Sequence, residues 1–235
     1  MKLPQIKHPT FTITLPSTKK EIRYRPFLVK EEKILLFAQQ SEDSKDIIAA
    51  VKQIINNCVV SEGVDVDLFT TYDIEYFFLQ LRAKSVNDEV KLTYIDNEDK
   101  KQYTFDVNLN DVRVVYPEGH VSKIVISDTS SITLTEPVFS VLEEMKSTNE
   151  SELAFEAIAK CLKTIENEGE IYNVADFSHE EVMEFVQSLD VMTFQKIQAF
   201  FDTMPRVEYI IEYKNSLDHD RKIVLNTLND FFTLG

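Results

Sequence analysis

Glycine is nearly missing from this chain. Gly63, Gly119, Gly169 and Gly235 are the only four in 235 residues, and each stands alone. A phosphate-cradling loop needs several glycines close together so that backbone N–H groups can converge. The dinucleotide fingerprint and the P-loop are therefore both excluded. Cysteine is scarcer still: Cys58 and Cys161 have no CxxC around them, which excludes zinc ribbons. Each lies on an apolar helical stripe, so both are expected as buried free thiols of a reducing compartment, not as a staple. Positive charge is short as well, with 25 Lys and Arg against 40 Asp and Glu, a formal net charge of −15. That balance excludes a sequence-independent grip on nucleic acid and attraction to an anionic membrane surface. It leaves two readings, plain solubility or an acidic face for a basic partner. No apolar run approaches the roughly 20 residues that span a bilayer. The start, MKLPQIKHPTF, reads as neither signal peptide nor anchor. The expected setting is a cytoplasm.

What is present is an ordinary globular composition, 43% hydrophobic and 28% charged. The length suffices for one domain or two packed ones. The segment 69–85, FTTYDIEYFFLQLRAKS, organises the rest. Ile74, Phe77, Phe78 and Leu81 fall at i, i+3, i+4 and i+7, the stripe of a helix, and Tyr72, Tyr76 and Leu79 widen it. Thr70 and Asp73 have the spacing of a capping box. A central helix buried on more than one side is expected here.

In chain order, the period-two pattern of 10–15 and 21–27 around Pro16-Ser17-Thr18 predicts an N-terminal hairpin, with Pro26 marking an edge or an end. Helices are expected over 28–40 and 44–58. In the first, Ile34, Leu35, Phe37 and Ala38 would face inward, and Lys30, Glu31, Glu32 and Lys33 outward. After residue 85 the period returns to two, giving a hairpin around Asp96-Asn97-Glu98-Asp99 and shorter strands over 112–116, 121–126 and 131–134. Helices follow over 137–145, 150–165, 178–189 (opened by the capping box Ser178 to Glu181) and 192–202. A last hairpin, 207–213 with 221–225, precedes a short turn at 227–232. The class is α+β, a helical core with β-hairpins. The expected division is a hairpin at 1–27, a helix–hairpin lobe at 28–112, a β connection at 113–135 and a second helix–hairpin lobe at 136–235, packed as one unit.

The chain echoes itself. Val51, Ile54, Ile55 and Cys58 match Ile158, Cys161, Leu162 and Ile165 in spacing, and a Glu-Gly pair follows each set. Phe69-Thr70 then matches Phe177-Ser178 ahead of the same stripe, and Leu109-Asn110-Asp111 matches Leu228-Asn229-Asp230. Amphipathic helices resemble one another, so the alternatives are a duplicated helix–hairpin module and coincidence of period.

Residues that could carry chemistry have simpler duties. Asp218-His219-Asp220 comes nearest to a metal cluster, but it sits in a hairpin turn, where acidic residues serve turn chemistry. Glu180-Glu181 suits a helix start, and no serine lies in a nucleophile elbow. No catalytic residue, cofactor or metal is assigned, and enzyme activity is not expected. A small metal-dependent or regulatory enzyme is the alternative of another class. For a binding protein, the candidate anchors are Tyr24 and Phe27 of the N-terminal hairpin and Phe231-Phe232 near the C-terminus, although that last pair docks either on the chain's own core, the preferred reading, or on a partner. Glu31 and Glu32 would supply the charged rim.

Three stretches together resemble a known family: 24–35 (YRPFLVKEEKIL), 73–86 (DIEYFFLQLRAKSV) and the run from Met204-Pro205 to Leu228-Asn229-Asp230-Phe231-Phe232. They are similar to the baseplate hub and hub-assembly proteins of T-even-type contractile-tailed phages, in order, over essentially the whole chain. The resemblance implies a non-enzymatic protein that helps build the central hub of the tail baseplate. As an assembly factor (chaperone) it would bind other hub or tail proteins in the host bacterial cytoplasm. As a permanent subunit it would stay in the virion. No catalytic residues come with the family.

Overall fold

The structure, a computed structural model, describes residues 6–40, 44–144 and 149–231. In chain order its elements are β1 (Phe11–Thr14), β2 (Glu21–Tyr24), α1 (Val29–Gln40), α2 (Ser44–Cys58), α3 (Thr71–Ser85), β3 (Glu89–Ile95), β4 (Gln102–Asn108) and β5 (Arg113–Val115). Then come β6 (Lys123–Val125), β7 (Ser130–Leu134), α4 (Phe139–Glu144), α5 (Glu150–Cys161), β8 (Leu162–Asn167) and β9 (Glu170–Asn173). The chain closes with α6 (His179–Ser188), α7 (Val191–Asp202), β10 (Arg206–Lys214) and β11 (Asp220–Leu225). The class is α+β, with every sheet antiparallel.

Two compact units divide the chain. Residues 1–115 and 206–235 form the first, and 116–205 the second. The expected lobes put 206–235 with 136–205. Instead, Arg206, Val207 and Glu208 of β10 pair with Val115, Val114 and Arg113 of β5, which draws the C-terminal hairpin to the first unit.

In the first unit α3 stands in the middle, as its apolar girth demands. Phe77, Phe78 and Leu81 are buried, and Leu79 joins Val90, Leu92, Val107, Val207, Ile211 and Phe231 in a core beneath the sheets. The capping box is formed: Thr70 Oγ1 accepts from Asp73 N, and Asp73 Oδ2 accepts from Thr70 N, both at 3.3 Å. Helix α1 is turned from its expected face. Glu31, Leu35 and Ala38 are buried at i, i+4 and i+7, while Phe37 is exposed. The cause lies just past the end of β2, where Arg25 draws Glu31 inward.

The second unit has its own core of Ile132, Leu134, Ile158, Leu162, Val182, Val186, Ile197 and Phe200 beneath a sheet of order β6-β7-β8-β9. The helix expected over 150–165 stops at Cys161, and Leu162 begins a strand along β7. β-branched Thr164 and Ile165 fit a pleated surface better than a helix.

Both units run in the same order. A hairpin leads to two helices, and the chain then returns to pair with the second hairpin strand. A 3-10 turn follows, and then a helix opened by a capping box. Detail recurs as well as order. Tyr24 bridges Val59 where Leu134 pairs with Leu162. Arg25 N donates to Cys58 O at 2.9 Å where Thr135 N donates to Cys161 O at 2.8 Å. Val66–Leu68 and Val174–Asp176 are the matching 3-10 turns. In the second unit β8 runs on and turns through Glu168 and Gly169 (φ +52° and +85°) into β9. In the first, the chain leaves after one bridge.

Candidate interaction surface

Most of the anchors expected for a partner are interior. Tyr24 is 2% exposed, with its ring centroid 5.9 Å from that of Phe11 and 5.2 Å from that of Phe77. Burial, with a smaller contribution from Tyr76, pushes its phenol up to about 12. Phe27 is buried, and its N–H donates to Ser85 Oγ at 2.9 Å. Phe231 is 1% exposed in the core below α3, and Phe232 lies outside the described residues.

Glu31, expected on the rim, is wholly buried. Its Oε1 meets Arg25 Nη2 at 3.0 Å and its Oε2 accepts from Leu28 N at 2.8 Å. Burial works to raise this carboxyl. The Arg25 guanidinium and the Leu28 N–H outweigh that effect and hold it below the usual glutamate range. Arg25 also donates to the carbonyls of Pro26 at 2.9 Å and Asn57 at 2.8 Å. The stretch 24–31 is thus a clamp joining β2, α1 and the end of α2. Of the six candidates only Glu32 is seen at the surface.

The 218–220 turn is also tied down. His219 Nδ1 lies 2.8 Å from Glu98 Oε1, and Lys214 Nζ lies 3.0 Å from Asp218 Oδ1. Nearby, Tyr213 Oη donates at 2.5 Å and Arg221 Nε at 3.0 Å to the buried Asp96. These bonds join the tips of the β3–β4 and β10–β11 hairpins. Among the described residues no group of three or more His, Cys, Asp or Glu side chains is placed to hold a metal ion. Cys58 and Cys161 are free and buried, and burial pushes both thiols up to about 12.

An apolar surface is available elsewhere. Between the edge strand β9 and α6 runs a groove of about 390 Å³ lined by Ile165, Tyr172, Val174, Phe177, Glu181 and Phe185. Phe177 is 43% exposed, 6.3 Å centroid to centroid from Tyr172, and Ile171 on the other face of β9 is 72% exposed. At one end is Glu181, which closes the α6 capping box. Its Oε2 accepts from both N and Oγ of Ser178 at 2.8 Å, and these two bonds hold its carboxyl below the usual range. The sequence expectations assign no element between 165 and 178, although Ile171 and Tyr172 just after Gly169 carry a strand signal.

Comparison with known proteins decides the family. The model of the family described as T4 bacteriophage base plate protein matches residues 8–233. The chain belongs to that family. It is a phage baseplate protein. No curated protein and no solved structure matches it. No helix among the described residues is long and apolar enough to cross a membrane.

Proposed function

We propose that this baseplate protein is a non-enzymatic assembly factor, which binds other baseplate proteins while the central hub is built in the host cytoplasm. The family match over residues 8–233 supports the setting. The observation that carries the binding role is the open apolar groove with Phe177 and Tyr172 at its lip. Protein interfaces draw their energy from a few such desolvated aromatic anchors and their steering from the charge around them. An acidic chain suits a basic partner and associates faster at low salt.

Deletion of the gene from the phage tests this. The expected result is loss of complete baseplates, restored by the chain supplied from a plasmid. Normal baseplates after deletion would refute the role. Quantitative mass spectrometry of purified virions separates assembly factor from subunit. An assembly factor is absent or far below stoichiometric, and a permanent subunit is present in fixed ratio to the other baseplate proteins.

A further inference from the structure

The two units cover equivalent positions differently. In the first, Phe69 and Phe77 are buried and Asp73, at the third position of α3, is 1% exposed. The β1–β2 turn covers this end of the helix. Leu15 is buried, Ser17 N donates to Asp73 Oδ1 at 2.9 Å, and Ser17 Oγ donates to Asp73 Oδ2. The turn reads Leu15-Pro16-Ser17-Thr18-Lys19-Lys20, an apolar side chain, then an N–H and a hydroxyl, then two cations.

In the second unit the matching residues are Phe177, Phe185 and Glu181, and they line the open groove. Phe177 is exposed, Phe185 half-buried and Glu181 exposed. Among the described residues Glu181 Oε1 takes no bond, since both from Ser178 fall on Oε2. Glu181 is the charged side chain in the groove lining, and the segment around it is acidic, although Glu166 within it is paired with Lys123. Between Lys163 and Lys196 the chain has eight carboxylates and no lysine or arginine.

We propose that the groove between β9 and α6 receives a basic turn of another baseplate protein, built as this chain's own 15–20 turn is. An aliphatic or aromatic side chain enters between Phe177, Tyr172 and Phe185. A backbone N–H or hydroxyl beside it donates to Glu181, and a flanking lysine or arginine faces the carboxylates. The first unit supplies this covering from its own chain, and the second takes it from a partner. The inference rests on the assembly role above and gives that role a site and a partner chemistry.

The probe is a synthetic peptide of residues 13–21, ITLPSTKKE, titrated into the full-length chain and followed by NMR. Saturable shifts are expected at Tyr172, Val174, Phe177, Glu181 and Phe185. Affinity should fall roughly tenfold with Phe177→Ala in the chain, or with Leu15→Ala or both lysines changed to glutamate in the peptide. Glu181→Gln should weaken binding about threefold while keeping the helix cap, since glutamine also closes a capping box. Phe37→Ala, on the exposed face of α1, should change nothing. No saturable shift at these residues up to about 5 mM peptide overturns the proposal. Equal binding of the acidic peptide overturns it too. A chain that is dimeric, and becomes monomeric with Phe177→Asp, would put a second copy in the groove and also overturn it. Gene deletion is read separately. Lost baseplates with no peptide in the groove would remove the groove alone. Normal baseplates with peptide bound would remove the assembly role alone.

Discussion

Glu31→Ala should destabilise the first unit by about 3 kcal/mol, because the carboxylate is a buried partner and not part of a rim. The substitution deletes a charged hydrogen bond from Arg25 Nη2 at 3.0 Å and another from Leu28 N at 2.8 Å. Such bonds contribute roughly 1.5–3 kcal/mol each. The loss sits toward the low end of their sum, because Arg25 keeps the carbonyls of Pro26 and Asn57 and is itself 18% exposed. Calorimetry of the purified chain should show a transition lowered by about 6–12 °C. Glu32→Ala, one residue along and exposed, should stay within about 0.5 kcal/mol of the wild type. The double variant Arg25→Ala/Glu31→Ala should cost less than the sum of the singles, since neither then leaves the other unpaired. The pH dependence follows from the lowered carboxyl. The unfolded chain takes up the proton first as pH falls past the ordinary 4.5, so the stabilisation is whole above that value and is lost below it, through the folded pKa. Glu31→Gln should flatten that acid limb. A Glu31→Ala protein melting within about 1 °C of wild type would refute the clamp and return this residue to the surface.

Three further outcomes are expected. Phe78→Ala, fully buried in α3, should cost about 3–5 kcal/mol in urea unfolding, and an unchanged midpoint would mean that α3 is not the centre of its unit. Glu75 behaves oppositely to Glu31. Burial chiefly, with Asp230 adding and the Leu228 N–H opposing, pushes its carboxyl from 4.5 up to about 7, so stability falls as pH rises through that window. Glu75→Gln should therefore melt higher than wild type at about pH 8 and lose that advantage at about pH 4, and a constant offset would refute the assignment. A disulfide reductant should leave the melting temperature unchanged, since Cys58 and Cys161 are both free, and a large drop would contradict that.

Much of the fold was legible because it is local. The stripe of α3, the capping boxes at Thr70 and Ser178 and the hairpins at 89–108 and 206–225 follow from spacing and end chemistry that a few neighbouring residues specify. The limits of α5 were not. Cys161, Leu162 and Ile165 keep a helical stripe in the sequence, and only the pairing of Leu162 with Leu134 shows that the chain has become a strand. The candidate binding residues were least legible. Tyr24, Phe27 and Phe231 are aromatic and near chain ends, but whether such residues face outward depends on partners far along the chain. Tyr24 is covered by Phe77 and bridged to Val59. The charged run 30–33 hid the same problem, because an arginine just past the preceding strand decides which glutamate turns inward. The groove itself exists only where β9 lies beside α6, and the sequence offered just two hints. One was a short strand after Gly169, and the other was the long interval without lysine or arginine.

Photo-crosslinking in infected cells tests the docking claim most directly. Benzoylphenylalanine placed at position 177 lies at the lip of the groove, and at position 37 it lies on the exposed face of α1 as control. The account predicts an adduct between position 177 and a phage baseplate protein, identified by mass spectrometry and joined through a turn with lysine or arginine beside an apolar residue, and none from position 37. No adduct at 177, or the same adduct from both positions, would contradict it.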